Sequence, residues 1–310
     1  MSHDNSLPPK RLAGPTPDRW RGAILRAAAP ILLLLVLVAC GSSDDDGGPG
    51  PSPTPNVVRY TAIGASDAIG FGSSVPCIPF DTVCADGRGY VAIIARQLRG
   101  AGRELTLSNL GVPGQVLSST VQTIGNQYGR GIPGNFLQQQ LPFVPRNSTL
   151  VTIFAGGNDT NAIGTAVDRG AAGNDPLGYI DAQIRTFATD YASLVRGIRD
   201  RAGSPQVIVL NLPNFAGLPF TSGFSATRKR WMQRISVGFS REGANALVGQ
   251  GVTVVDLLCD SRSYQRSNYS SDGFHPNDAG YAFMAGEVMR AIDGQIDPPQ
   301  ADCSFMRIVQ

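Results

Sequence analysis

The sequence predicts an α/β fold in which a parallel sheet is covered by helices on both faces. Five short, nearly continuous apolar runs rich in β-branched residues recur along the chain: Val57–Ile63, 105–110, Leu150–Phe154, Gln206–Leu210 and 252–257. Strands covered on both sides lose the polar alternation of half-exposed ones, and such strands make up parallel sheets. Between the runs lie stretches with apolar residues at helical spacing, at 90–98, 179–198, 227–248 and Asp278–Ile292. Alternating strands and helices imply crossover connections and hence parallel order. In such a sheet, ligand-handling groups collect on the loops beyond the carboxyl ends of the strands.

The chain before the first strand has a different character. Residues 1–39 carry Lys10, Arg11, Arg19, Arg21 and Arg26, then an apolar run from 31 to 39 that ends at Cys40. A basic stretch followed by a short apolar core and a small-residue junction describes a secretory signal. The run is shorter than the roughly 20 residues a membrane span needs. The junction Leu37-Val38-Ala39-Cys40-Gly41 resembles a bacterial lipobox, in which Cys40 would be lipidated and become the first mature residue. Residues 41–55 hold Gly, Ser, Asp and Pro with nothing large to bury, so they read as a flexible tether. The expected organisation is a signal peptide at 1–39, a lipidated cysteine and linker at 40–56, and one domain at 57–310. That places the domain in the bacterial cell envelope, held to a membrane by its lipid; Gly41 after the cysteine favours the outer membrane in a Gram-negative cell.

Charge and cysteines narrow the class further. Without residues 1–39, 21 basic and 22 acidic residues remain, a net of −1. A nucleic-acid partner would need a basic face, and none is visible. Four cysteines follow Cys40: Cys77, Cys84, Cys259 and Cys303. An even number in an exported chain suggests two disulfides. Cys77–Cys84 would close a small loop and Cys259–Cys303 would staple the C-terminal tail to a strand end; the other two pairings remain open. No CxxC pair occurs and only one histidine lies beyond the leader, so no metal site is expected.

The strand ends carry the chemistry. The first run leads into Ile63-Gly64-Ala65-Ser66-Asp67, which puts Ser66 at the carboxyl edge, where a serine serves equally as a helix N-cap or as a nucleophile. The second leads into Asn109-Leu110-Gly111-Val112-Pro113-Gly114, where glycine lets backbone amides approach a ligand. The third leads into Gly156-Gly157-Asn158-Asp159, which sets a neutral donor at the same edge. His3 lies in the leader, so any function that needs an imidazole falls on His275, with Asp272 three residues before it. A carboxylate that orients such a base is the third member of a serine triad. No GxSxG elbow occurs, which disfavours the ordinary α/β-hydrolase fold.

These segments together resemble the SGNH, or GDSL-type, hydrolase family across nearly the whole expected domain. The resemblance implies a three-layer, flavodoxin-like α/β/α fold with a five-stranded parallel sheet. It implies an esterase or lipase acting on lipid, short-acyl or thioester substrates, or a deacetylase of acetylated polysaccharide. Ser66 would be the nucleophile, His275 the base and Asp272 its partner. The Ser66 and Gly114 amides and the Asn158 side chain would form the oxyanion hole, and no cofactor is called for. The family usually has Gly-Asp-Ser where this chain has Gly64-Ala65-Ser66, so the support of the nucleophile loop must differ here. Residues 70–86, 115–140 and 158–176, rich in Gly, Pro, Ser and Asn, are expected to wall the acyl pocket, with Phe71, Phe80, Phe136 and Phe154 as candidate lining.

Overall fold

A computed structural model describes residues 56–80 and 84–310. The expected signal, Cys40 and nearly all of the linker lie outside these residues. Five strands, β1 (Val57–Ile63), β2 (Glu104–Asn109), β3 (Leu150–Phe154), β4 (Gln206–Leu210) and β5 (Thr253–Val255), form one all-parallel sheet in the order β2-β1-β3-β4-β5. The order reverses between β1 and β3, so the carboxyl ends of these two strands flank a crevice. Ser66 follows the first and Asn158 the second.

Both faces of the sheet are buried, as the continuous apolar runs predict. Alternate residues divide between two cores. Tyr60, Ala62, Leu107, Leu150, Ile208, Leu210 and Val255 pack on one side against helices α1 (Tyr90–Gly100) and α7 (Asp278–Ile292). Ile63, Val151, Ile153, Val207, Val209 and Val254 pack on the other, beneath α2 (Ser119–Gln127), α3 (Phe136–Gln139), α4 (Gly157–Asp168), α5 (Pro176–Ala202) and α6 (Ala226–Gly238). The three-layer α/β/α expectation is met. Among the described residues, no helix is long and apolar enough to cross a membrane.

Several local expectations are corrected. Residues 227–248 are not one helix: α6 stops at Gly238, and a wider π turn (Phe239–Ala244) and a 3-10 segment (Asn245–Gln250) follow. Half of residues 115–140 and most of residues 158–176 are helical, as α2, α3 and α4. Their glycines hid the periodicity. Gly125 sits against Ile132 and Gly164 against Met232, so both are close-packing positions inside helices. The disulfides are Cys77–Cys84 and Cys259–Cys303.

Candidate active site

Ser66, Asp272 and His275 meet at the carboxyl edge of the sheet although more than 200 residues separate the first from the last. Ser66 Oγ lies 2.9 Å from His275 Nε2, and His275 Nδ1 lies 2.6 Å from Asp272 Oδ2. Ser66 is buried, while the Asp272 side chain is 42% exposed. Desolvation alone would raise the Asp272 carboxyl. Hydrogen bonds from the His275 ring, the Ser270 hydroxyl and the His275 and Phe274 amides outweigh it and hold the group at about 2. An ionised carboxylate only accepts, so Nδ1 carries the proton and Nε2 is left to accept from Ser66 Oγ.

The loop that holds Asp272 and His275 is fixed from both ends. Asn277 caps α7 by accepting from the amides of Ala279 and Gly280, and its own amide donates to the carbonyls of Ser267 and Tyr269. Ser270 N donates to the His275 carbonyl and closes the turn. Gly273 turns with φ +71, and a Cβ there would stand 2.8 Å from the Phe220 amide nitrogen. The Phe71 ring lies 4.7 Å from the imidazole and covers it from the Ser66 side of the chain.

Three N–H donors beyond the carboxyl ends of β1, β2 and β3 have no partner among the described residues. Neither the Ser66 nor the Gly114 amide donates a hydrogen bond within the described residues. Asn158 Nδ2 uses one hydrogen on the Gln115 carbonyl at 2.9 Å, which leaves the other free. That bond also ties the start of α4 to the residue after Gly114. A second tie runs from the Leu117 amide to Asp159 Oδ1 at 2.9 Å. Gly156 makes the turn into α4 with φ +104, and a Cβ there would meet Leu212 at 2.8 Å. The α4 N-terminus adds its partial positive charge beside Asn158.

The vacancy left by Ala65 has a structural answer that the sequence did not reveal. Ala65 is buried in the apolar core. The support comes from Gln140, fully buried, whose amide accepts from Gly64 N at 3.1 Å and donates to Gly64 O at 2.8 Å. The same Nε2 donates to Gln115 Oε1 at 2.6 Å. One side chain therefore grips the backbone two residues before Ser66 and reaches the loop that carries Gly114. Asn109 adds a bond from Nδ2 to the Ala68 carbonyl. Nothing in the local sequence marks Gln140, because its partners lie 76 and 25 residues away.

Two cavities meet here, and their walls differ from those expected. The small cleft beside Asn158 also touches Ala65, Asp67, Gln115, Phe136 and Gly156. A larger, mainly apolar cavity of about 50 Å³ lies behind the histidine loop. Asp67, Phe154, Gly157 and Phe274 line both. Of the four candidate phenylalanines, Phe154 serves both cavities, Phe136 closes the cleft floor, and Phe71 caps the imidazole. Phe80 lines neither cavity and is 59% exposed. The sequence reading overlooked Phe274, which stacks edge-on with Phe215 and Phe220. No cluster of three or more potential metal ligands occurs among the described residues.

The profile of the GDSL-like lipase/acylhydrolase family matches residues 62–283, from within β1 to within α7. The chain belongs to this family. It is an esterase or lipase, and its general reaction is ester hydrolysis. The enzyme shares its fold with the lipase Lip_vut3 from a goat rumen metagenome, at 19% identity over 76% of this chain and 97% of that one, with a TM-score of 0.52. Similar structures include a lipase/acylhydrolase from Enterococcus faecalis (19% identity, 79% and 100% covered, TM-score 0.48). An acetyl xylan esterase from Geobacillus stearothermophilus is another (16% identity, 77% and 96% covered, TM-score 0.46). At these identities the similarity is one of fold. No curated sequence matches the chain significantly.

Proposed function

We propose that the enzyme cleaves carboxylic esters through an acyl-enzyme on Ser66, with His275 as base and Asp272 as its orienting partner. The observation that carries this reading is the pair of bonds linking Ser66 Oγ, the two imidazole nitrogens and Asp272 Oδ2. His275 takes the Ser66 proton as Oγ attacks the ester carbonyl. The Ser66 and Gly114 amides and the free Asn158 hydrogen then receive the developing oxyanion. The alcohol leaves with the proton from His275, and water attacks the acyl-enzyme by the same route. No step calls on a metal or an organic cofactor.

Substrates in this reading are lipid, short-acyl or thioester compounds. The small volume of the cavities on both sides of Asp67 favours the short-acyl end, which includes deacetylation of polysaccharide. A fluorophosphonate probe tests the reading. Wild type should become labelled and Ser66→Ala should not. Absence of label on wild type, or equal labelling of the variant, overturns it and leaves a non-catalytic binding lipoprotein as the better account.

The same proposal places the enzyme in the bacterial envelope, tethered through lipidated Cys40. The support is the Leu37-Val38-Ala39-Cys40 junction and the Gly/Ser/Asp/Pro spacer behind it. Wild type should fractionate with membranes, and Cys40→Ala should not. Equal membrane retention of both would remove the anchor.

A further inference from the structure

Asp67 has no assigned role, yet it occupies a decisive place. It follows the nucleophile in the chain and is one of four residues shared by the two cavities; the other three, Phe154, Gly157 and Phe274, offer only apolar surface or backbone there. No described residue other than Asp67 itself is seen donating a hydrogen bond to its carboxylate, and the residue is half-buried in the walls of both cavities. Arg262, the one cation on the wall of the larger cavity, is committed to Asp260 and Glu287. A lone carboxylate in an apolar wall is costly unless something in the cavity meets it.

We propose that Asp67 is a specificity-determining residue that selects short acyl groups bearing a hydroxyl over plain alkyl ones. The inference rests on the acyl-enzyme reading above. The alcohol must depart toward solvent, whereas the acyl group stays on Ser66, so a cavity behind the catalytic loop suits the acyl half. At about 50 Å³ it holds roughly four water-sized groups, the scale of a short chain. A plain alkyl group would strip water from Asp67 and return nothing. An acyl hydroxyl replaces that water with a hydrogen bond. Burial raises the Asp67 carboxyl, opposed by the charge of His275. A hydroxyl both donates and accepts, so it satisfies the group in either protonation state, which an ammonium does not. Sites built to hydrogen-bond a substrate hydroxyl discriminate against analogues that lack it far more strongly than apolar pockets do.

The test compares kcat/KM for 4-nitrophenyl 3-hydroxybutyrate, assayed as both enantiomers, with that for 4-nitrophenyl butyrate. Wild type should favour the better hydroxyacyl enantiomer at least threefold. Asp67→Leu should reverse the preference, and Asp67→Ala, which only shortens the side chain, should abolish it. A wild-type ratio below threefold overturns the inference without reference to any variant. So does a ratio that survives both substitutions. Fluorophosphonate labelling of wild type separates the two levels. A labelled enzyme with no hydroxyl preference loses only the role of Asp67, whereas an unlabelled one loses the acyl-enzyme reading itself.

Discussion

Asp272 and Asp67 both lie within the electrostatic reach of His275, yet their surroundings differ. Asp272 is the more exposed and accepts four hydrogen bonds, from the His275 ring, the Ser270 hydroxyl and two amides. Those bonds hold it at about 2. Asp67 sits in an apolar wall without such partners, and burial drives its carboxyl upward. Hydrogen bonding pulls the Asp272 carboxyl down against its partial burial, whereas burial without such bonds moves Asp67 up. The first is built to fix a tautomer. The second lines two cavities with no such set of donors around it. The same contrast runs between the loops: residues 267–280 hold Asp272 and His275 by local bonds, whereas the backbone before Ser66 is held by a distant side chain, Gln140.

The largest effect should come from breaking the Asp272 side of this contrast. Asp272→Asn keeps the shape but presents an amide donor to Nδ1, which favours the wrong imidazole tautomer. The expected loss in kcat is about 10⁴-fold, measured on a short-chain 4-nitrophenyl ester. If the free Asn158 hydrogen meets the oxyanion as proposed, Asn158→Ala should cost about 10²–10³ in kcat, with little change in KM. A loss in KM alone would show that Asn158 binds the ground state and the transition state equally.

Gln140→Leu sharpens the comparison between the two loops. It leaves the Gly64 N–H buried without a partner and its carbonyl with only the long bond from the Val112 amide, and should lower stability by about 1–3 kcal/mol in denaturant titration. It should also depress kcat, since Ser66 and Gly114 lose a common support. Unchanged stability would mean that water takes the place of the amide.

The smallest effect concerns Asp159, beside Asn158. Burial raises its carboxyl to about 7, against the bond from the Leu117 amide and its neighbours. Between about pH 4 and 7 the folded chain keeps a proton that the unfolded chain releases. Stability is therefore fullest below this window and falls as pH rises through it. Asp159→Asn retains an acceptor for Leu117 and cannot titrate. It should flatten that decline, by a few degrees of Tm or on the order of 1–2 kcal/mol. Parallel pH profiles of wild type and variant would show that Asp159 is not the titrating group.

Much of the fold was legible in the runs that become β1, β3 and β4, because a strand buried on both faces cannot hide its composition. Helices α2 and α4 were not legible, since Gly125 and Gly164 serve close packing and mimic loop composition. β5 is shorter than its apolar run, which continues as Leu257 into a wall of the larger cavity. Elimination singled out His275 and a three-residue spacing singled out Asp272, and both lie within hydrogen-bonding reach of one another and, through His275, of Ser66.

What the sequence determined by itself was an α/β domain with a serine at one strand end and a single candidate base near the C-terminus. Composition and local spacing carry that information, because strand burial and turn chemistry act over a few residues. The tertiary structure alone decided that Gln140 clasps the Gly64 backbone beside Ala65. It also decided that Asp67, Phe154 and Phe274 line both cavities. Each of these depends on which distant segments the sheet order and the helix crossings bring to one edge. No local pattern encodes such a meeting, because its energy comes from contacts dozens to hundreds of residues apart.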